Sequence, residues 1–559
     1  MKRIILALLA LACIAGAPRP ARAQDQAAVL DSIQYAGFRF FWYKANPANG
    51  LCPDRSASGS VCSTASTGFG LSAICIGVDH GWITRAQGRQ RVLTTLQTLW
   101  NLPQGPGTSG IIGYKGLYYH WLDMTTGLRR VDWNAELSSI DTALLFAGIM
   151  HAREYFTDSV DTNESSIRAL ADSITRRADW RWMHLGRWQE TGTPSDSLGL
   201  QMGYNPTTGF SSFGKWIGYN EAMIMYIMAI GSPTHPIPAS DWNVWTGGYS
   251  FSQYYPAVGN YVRFAPLFGH QYSHCWIDFR QIRDAYMASK NLTYWENSRR
   301  ATLTQLAFGR QYGQFESSLH FGYSDSLWGW TACDGPTGNG TLGGYAARGN
   351  PGGPDDGTIA PTAAISSVAF AADSVWPCIR NMWNSRNTVV GGLYRPLWLS
   401  YGFTDSFNPE KHPYFDMDVL GIDLGPEVLM IENHIANSVW WRFMQHPDIV
   451  DGLSRSGFTP LPTAVDPPLP RADTELFLAA APNPFHGSTL IRYRVQQPGR
   501  VRLTLYDLQG RALATLVDGE RAAGEYSVSL AGTGLAAGVY HYRLDSGGAS
   551  VVRRAVLLK

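Results

Sequence analysis

Charge is scarce in this sequence, and neither sign prevails. Asp, Glu, Lys and Arg make up 16% of the 559 residues, and the formal net charge is +1. No basic block occurs, so the electrostatic footprint of a nucleic-acid binder is missing. Long apolar runs are missing too. The N-terminal run, Ile4 to Ala17, is too short to cross a membrane, and no transmembrane segment is expected. The 7 cysteines include no C-x-x-C pair, which excludes the common zinc spacings. There is no P-loop, no G-x-S-x-G elbow and no H-E-x-x-H, so neither cofactor nor metal is expected. Gly68-x-Gly70-x-x-Ala73 matches the loose dinucleotide fingerprint, but Cys62–Thr67 is small and polar where an apolar strand is required.

Aromatic residues, by contrast, are abundant. They are 13% of the chain and include 20 Trp, many of them beside Gly, Asn and Asp. Such rings with polar neighbours suit the apolar C–H faces and hydroxyl rims of sugars, although Trp also fills large cores. Lys2 and Arg3, the apolar run and Ala21-Arg22-Ala23 read as a secretion leader over residues 1–23. In an oxidising compartment, Cys52 and Cys62 could close a local disulfide.

Residues 24–455 read as helices joined by Gly- and aromatic-rich loops. Thr84–Leu99 and Ser165–Trp182 are amphipathic, whereas Thr67–Val78, Ile140–Met150, Ala222–Ile230 and Ile359–Phe370 are apolar almost throughout. Tyr272–Ala288 and Pro426–Phe443 read as further single helices. Half-exposed helices around fully buried ones suggest two concentric layers, an (α/α)6 barrel. Residues 456–475 are a Pro-rich linker. Residues 476–559 alternate with period two and predict a small Ig-like β-sandwich.

The apolar helices start with acids. Glu136 and Asp141 precede Thr142–Met150, Glu221 precedes Ala222–Ile230, Asp355 and Asp356 precede Gly357–Phe370, and Glu427 and Glu432 lie in Pro426–Trp440. First-turn acids commonly just complement the helix dipole. If the buried helices run parallel, the acids gather at one end. Glu136 and Asp141 lie about 140° apart around a helix, so both cannot point squarely into one cleft. Glu221 has the most apolar surroundings, which raise a carboxyl pKa and suit a general acid. His270 and His274 are four apart and could share a metal on a helix, but no third ligand is evident, so sugar contact or packing is expected.

In order along the chain come T-G-F-G-L-S-A at 67–73, N-A-E-L-S-S-I-D at 134–141, G-Y-N-E-A at 218–222 and F-G-H-Q-Y-S-H at 268–274. F-G-Y-S-D-S-L-W-G-W-T-A at 321–332, D-G-T-I-A-P-T-A at 356–363 and Y-G-F-T-D-S-F-N at 401–408 follow. In these motifs residues 30–446 resemble the glycoamylase-like family, which includes bacterial endo-β-1,2-glucanases and the processing domain of cyclic β-1,2-glucan synthases. The resemblance implies an (α/α)6 barrel and a secreted glycoside hydrolase cleaving β-glucan, β-1,2-glucan first. It implies inversion as in the endoglucanase branch, with retention, as in the synthase branch, left open. It places the proton donor on Glu221 and ranks Asp405 ahead of Asp325 as base. Glu136, Asp141, His270, His274, Tyr323, Trp328, Trp330, Tyr394 and Arg395 become sugar-contact candidates. The competing expectations are a non-catalytic glycan-binding protein and a polysaccharide lyase on the same toroid, which the near-neutral charge disfavours.

The tail resembles a type IX secretion sorting domain through Pro482-Asn483-Pro484-Phe485, Tyr506-Asp507-Leu508-Gln509-Gly510-Arg511, Ala523-Gly524-Glu525-Tyr526 and Gly538-Val539-Tyr540. That implies export through the periplasm by the type IX machinery, to the medium or the outer surface.

Overall fold

A computed structural model describes residues 21–557 apart from 313–321, 338–341, 388, 391, 392, 395, 410–413, 462–477, 482–484, 486, 487, 496, 508–510, 533, 537 and 548. Most of the leader, most of the linker, Arg395, Pro482-Asn483-Pro484 and Leu508-Gln509-Gly510 therefore lie outside the described residues. The chain divides into two compact units, Met1–Leu461 and Pro462–Lys559.

The larger unit is rich in helix: α1 (Ala21–Tyr43), α2 (Thr64–Asp79), α3 (Arg85–Asn101), α4 (Ser139–Tyr155), α5 (Thr162–Arg176), α6 (Trp180–Thr191), α7 (Met223–Gly231) and α8 (Asp241–Gly247). It continues with α9 (Phe268–Gln271), α10 (Ala285–Ser289), α11 (Tyr294–Tyr312), α12 (Pro361–Ile365), α13 (Val368–Asn384), α14 (Gly421–Ile435), α15 (Ser438–Phe443) and α16 (Pro447–Arg455).

Two kinds of helix are present. In α2 every residue from Thr64 to Gly77 is buried, and in α7 every residue is. Having no polar face, such helices must be covered on all sides. In α3 and α5 only one side is buried, and each starts on a side-chain cap, Thr84 in a capping box with Gln87 and Asp161 on Asn163 and Glu164. The buried helices pack in series: α7 on α4, α4 on α2, α2 on α14, and α14 on α12. Outside them α3 packs on α5, α1 covers α2 and α14, and α13 covers α14. The α2–α4 contact is backbone against backbone. A Cβ on Gly68 would strike the Leu144 carbonyl oxygen, and one on Gly148 the Gly68 carbonyl oxygen.

Loop hydrogen bonds pin the starts of these helices together. Thr64 Oγ1 donates to the Tyr119 carbonyl at 2.6 Å, and the Tyr118 N–H donates to Thr142 Oγ1 at 3.0 Å. The Gly421 N–H donates to the Asp54 carbonyl at 2.7 Å, while Thr362 Oγ1 donates to the Asp423 carbonyl at 2.9 Å. The N-terminal ends of α2, α4, α12 and α14 therefore meet at one end of the unit.

Several boundaries differ from the sequence reading. Tyr272–Ala288 is a 3₁₀ turn at Ser273–Cys275, then a strand at Ile282–Arg283 paired with Thr459–Pro460, then α10 capped by Asp284. Ser165–Trp182 breaks where Asp179 caps α6. Pro426–Phe443 starts early, at Gly421, and breaks at Asn437, whose φ is 55°. Cys52 and Cys62 are buried free thiols, so the local disulfide is not formed.

The smaller unit has two antiparallel sheets. One orders Leu478–Ala481, Ser488–Val495 and Gly524–Ala531; the other orders Ala512–Arg521, Gly499–Tyr506, Gly538–Ser546 and Ala549–Leu557. Ile491, Tyr493 and Leu530 of the first share one apolar cluster with Leu503, Leu505, Tyr542 and Leu544 of the second. Among the described residues of the chain, no helix is long and apolar enough to cross a membrane.

Candidate active site

Glu221 stands one residue before the cap of α7, not inside the helix. Asn220 Oδ1 accepts the Ala222 N–H at 2.9 Å and turns the chain into the helix. Ser273 Oγ donates to the Glu221 carbonyl at 3.1 Å and accepts the Ile224 N–H at 3.0 Å, fixing the turn from the other side. Glu221 is half-buried. Burial, opposed by a hydrogen bond to its own backbone and reinforced by the Asp141 charge, raises its pKa to about 7.

Asp141 is buried in the first turn of α4, where Ser138 Oγ donates to its carboxylate. Beside it lies His120, whose Nδ1 is 2.8 Å from Glu136 Oε1 and whose Nε2 is 3.6 Å from Asp141 Oδ1. The imidazole stacks on Trp121 with centroids 3.8 Å apart. Burial alone would strip its proton, but Asp141 and Glu136 outweigh that and lift it to about 9. Burial pushes Asp141 up, against the pull of His120, while the imidazole bond holds Glu136 down despite burial.

A second acidic group lies at the start of α14. Asp405 and Asp423 are both 4% exposed and close enough to shift each other's titration. Burial drives both carboxyls up, and the Asp423 charge drives Asp405 further, so the two titrate as a pair. The Asp334 N–H donates to Asp405 Oδ2 at 2.7 Å. Asp334, Asp405 and Asp416 bring one oxygen each within 4.8 Å of one another, a spacing that could hold a cation. Arg55 answers part of this charge, from Nη1 to Asp334 at 2.8 Å and from Nε to Asp54 at 3.1 Å.

Tyr272 joins the two groups. Its neighbour Ser273 is tied to Glu221, and its ring packs edge-on against Phe69, which lies over Gly425 of α14. Burial raises the Tyr272 hydroxyl well above its usual range, with Asp423 and Glu221 both near enough to add to the shift. Asp54 also feels His120. Glu221 and the Asp405–Asp423 pair thus lie on either side of Tyr272. Tyr345, 50% exposed, feels the charges of Asp423 and Asp405. Trp133, 51% exposed, stands edge-on to Trp121 on a loop held by Asn205 Nδ2 to Asn134 Oδ1 at 3.0 Å.

The remaining sequence candidates lie elsewhere. Asp325 is a correction: its side chain is 59% exposed and 4.0 Å from Arg310, because Ser324–Leu327 closes a surface turn. His270 and His274 are fully buried, bonded to the Phe264 carbonyl and to Ser298 Oγ, and share no metal geometry. Burial lowers each to about 3, so both are neutral packing groups. Trp328 and Trp330 are core residues with no free face, and Tyr323 donates to Asp355 at 2.7 Å beneath the surface. Glu432 pairs with His80 at 2.8 Å near the far end of α14. The Tyr394 side chain and Arg395 lie outside the described residues.

Asp423, His120 and Tyr272 were not singled out from sequence. Asp423 lies before the helix that the sequence predicts from Pro426, in G-I-D-L-G-P-E. Tyr272 sits between the two histidines, about 200° from each on a helix, and that offset was the available signal.

Residues 214–447 match the Glycoamylase family model, described as "Putative glucoamylase". A curated relative, the exo beta-1,2-glucooligosaccharide sophorohydrolase (non-reducing end) of Parabacteroides distasonis, is 28% identical over 457 residues, 76% of this chain. The chain spans 57% of that relative's length. Among solved structures, the endo-beta-1,2-glucanase of Chitinophaga pinensis, in complex with sophorotriose and glucose, is 25% identical with a TM-score of 0.66. That likeness covers 78% of this chain and 98% of that one. The beta-1,2-glucanase of Parabacteroides distasonis is 26% identical with a TM-score of 0.66, covering 77% of this chain and 60% of that one.

Proposed function

We propose that the chain is a glycoside hydrolase of the glycoamylase-like family acting on β-1,2-linked glucan. The observation that supports this reading is Glu221, a half-buried acid that holds its proton near neutral pH, with Tyr272 feeling both its charge and that of a buried aspartate pair. The activities named for the similar proteins supply the linkage. Glycoside hydrolysis needs a proton donor for the leaving oxygen and a second carboxylate to activate water or attack carbon. Glu221 is the donor. The Asp405–Asp423 pair is the base, with one member ionised. The reaction we propose is inverting, as the resemblance to the endoglucanase branch implies, with water activated by the base. The serial packing of α7, α4, α2, α14 and α12, with outer helices around them, supports the (α/α)6 barrel.

For the tail we propose the sorting role, with export by the type IX machinery to the medium or the outer surface. Its two-sheet unit and the motifs around Tyr506, Ala523 and Gly538 support it. Removing residues 462–559 is expected to trap the protein in the periplasm.

The test of activity is release of reducing ends from purified β-1,2-glucan, against β-1,3- and β-1,4-glucans. Turnover of the β-1,2 polymer alone is expected, and the first-formed anomer, read by NMR, is inverted. No turnover of any glucan by the folded protein would overturn the reading.

A further inference from the structure

The hydrolase reading assigns work to Glu221 and to the aspartate pair but none to the imidazole between Asp141 and Glu136. His120 is held in place by backbone and ring. Its N–H donates to the Glu136 carbonyl at 2.9 Å, its own carbonyl accepts the Thr64 N–H at 3.2 Å, and its ring is held flat against Trp121. Its two nitrogens point to two carboxylates on different segments, at 2.8 and 3.6 Å. An imidazolium hydrogen-bonds Glu136 and pairs by charge with Asp141, and a neutral imidazole has no charge to offer the second carboxylate. The charged groups facing it are Glu136 from the segment before α4, Asp141 from α4 and Asp54 from the loop before Cys62, with Arg55 beyond Asp54.

We propose that His120 is a positioning residue, an imidazolium that fixes Glu136 and Asp141 as anions toward Glu221 and the sugar hydroxyls. The inference rests on the hydrolase reading. Without the imidazolium, Asp141 and Glu136 are two like charges at close range in a buried site, and one takes up a proton. Ionised, Asp141 does two things. It accepts hydrogen bonds from substrate hydroxyls, and its charge keeps the proton on Glu221. The imidazolium thus acts on the donor through Asp141 and touches no reacting atom.

Two measurements test this on the full chain. In ¹⁵N-histidine NMR of the wild type, one imidazole stays charged through neutral pH and titrates at about 9. Asp141→Asn identifies it by lowering that titration by about one unit or more. A His120 ring neutral at pH 7, or a titration that Asp141→Asn does not move, overturns the proposal. In His120→Asn, which can still donate to Glu136 but carries no charge, the acid limb of kcat/KM moves up by about one to three pH units. Loss of activity at all pH values with the limb unmoved marks a merely structural role and also overturns it. The NMR arm needs no substrate. A wild type that turns over no glucan therefore sinks the hydrolase reading alone, and the imidazole titration still decides His120.

Discussion

The two walls of the proposed site bury carboxylates by different means. On the Glu221 wall, Glu136 and Asp141 are answered by the His120 imidazole, and Glu221, next in line, has its pKa raised by burial first and by the Asp141 charge after it. On the opposite wall, among the described residues, no cation forms an ion pair with Asp405 or Asp423. Arg55 stops at Asp54 and Asp334, and Asp405 and Asp423 titrate as a pair instead. A fixed cation keeps its neighbours ionised over a wide pH range. A coupled pair leaves one group charged while the other holds a proton. The first arrangement suits positioning, the second proton uptake. A hydrolase needs both, with a loaded donor on one side and a half-empty acceptor on the other.

The largest expected effect removes the donor. Glu221→Gln lowers kcat/KM on β-1,2-glucan by about 10²–10⁴-fold with circular dichroism unchanged. A variant with wild-type activity would erase the difference between the walls. Next come Asp405→Asn and Asp423→Asn. Each is expected to cost at least about 10²-fold, and the double variant to be no worse than the poorer single one, since the pair works as a unit. Multiplying losses would show two independent acids. Gly148→Ala should destabilise the unit by about 1–3 kcal/mol in chemical denaturation, because its methyl meets the Gly68 carbonyl and parts α2 from α4 under both walls. Unchanged stability would show that this contact does not hold the helix ends in register. The smallest effect is at the rim. Trp133→Ala should raise KM for long chains about three- to tenfold while leaving short oligosaccharides unaffected, the loss of one stacking surface. Equal effects on both lengths would move the ring out of the substrate path.

The helix-rich class of the larger unit was legible because α2 and α7 are apolar over their whole length and can only be buried. Glu221 was legible for the same reason, as the lone acid at the mouth of such a run. Asp423 was not. Its importance comes from Asp405, eighteen residues away along a loop, and no local pattern marks that contact. His120 was hidden in a short extended stretch, where one polar side chain between Tyr119 and Trp121 carries no periodic signal. The tryptophan count misled in part. Trp328 and Trp330 flank a glycine in a loop-like motif, yet tertiary packing closes over both, whereas Trp133 and Tyr345 are exposed. The helix expected over Tyr272–Ala288 failed because Asp284 starts a new cap in its middle.

The pH dependence of stability follows from the same carboxyl. Glu221 has a folded pKa above its unfolded one, so its contribution is complete below about 4.3 and lost as pH rises through about 7. Glu221→Gln is therefore expected to melt progressively higher than the wild type between pH 5 and 8. An unchanging gap would place the ionisation elsewhere.

The most direct measurement is the titration of Glu221 itself, read as the carboxyl band that isotope-edited infrared spectroscopy finds in ¹³C-glutamate-labelled wild type and not in Glu221→Gln. The expected result is a protonated carboxyl at pH 6 that ionises near pH 7. A Glu221 already ionised at pH 5 would leave the cleft without a loaded proton donor and contradict the hydrolase mechanism at its first step.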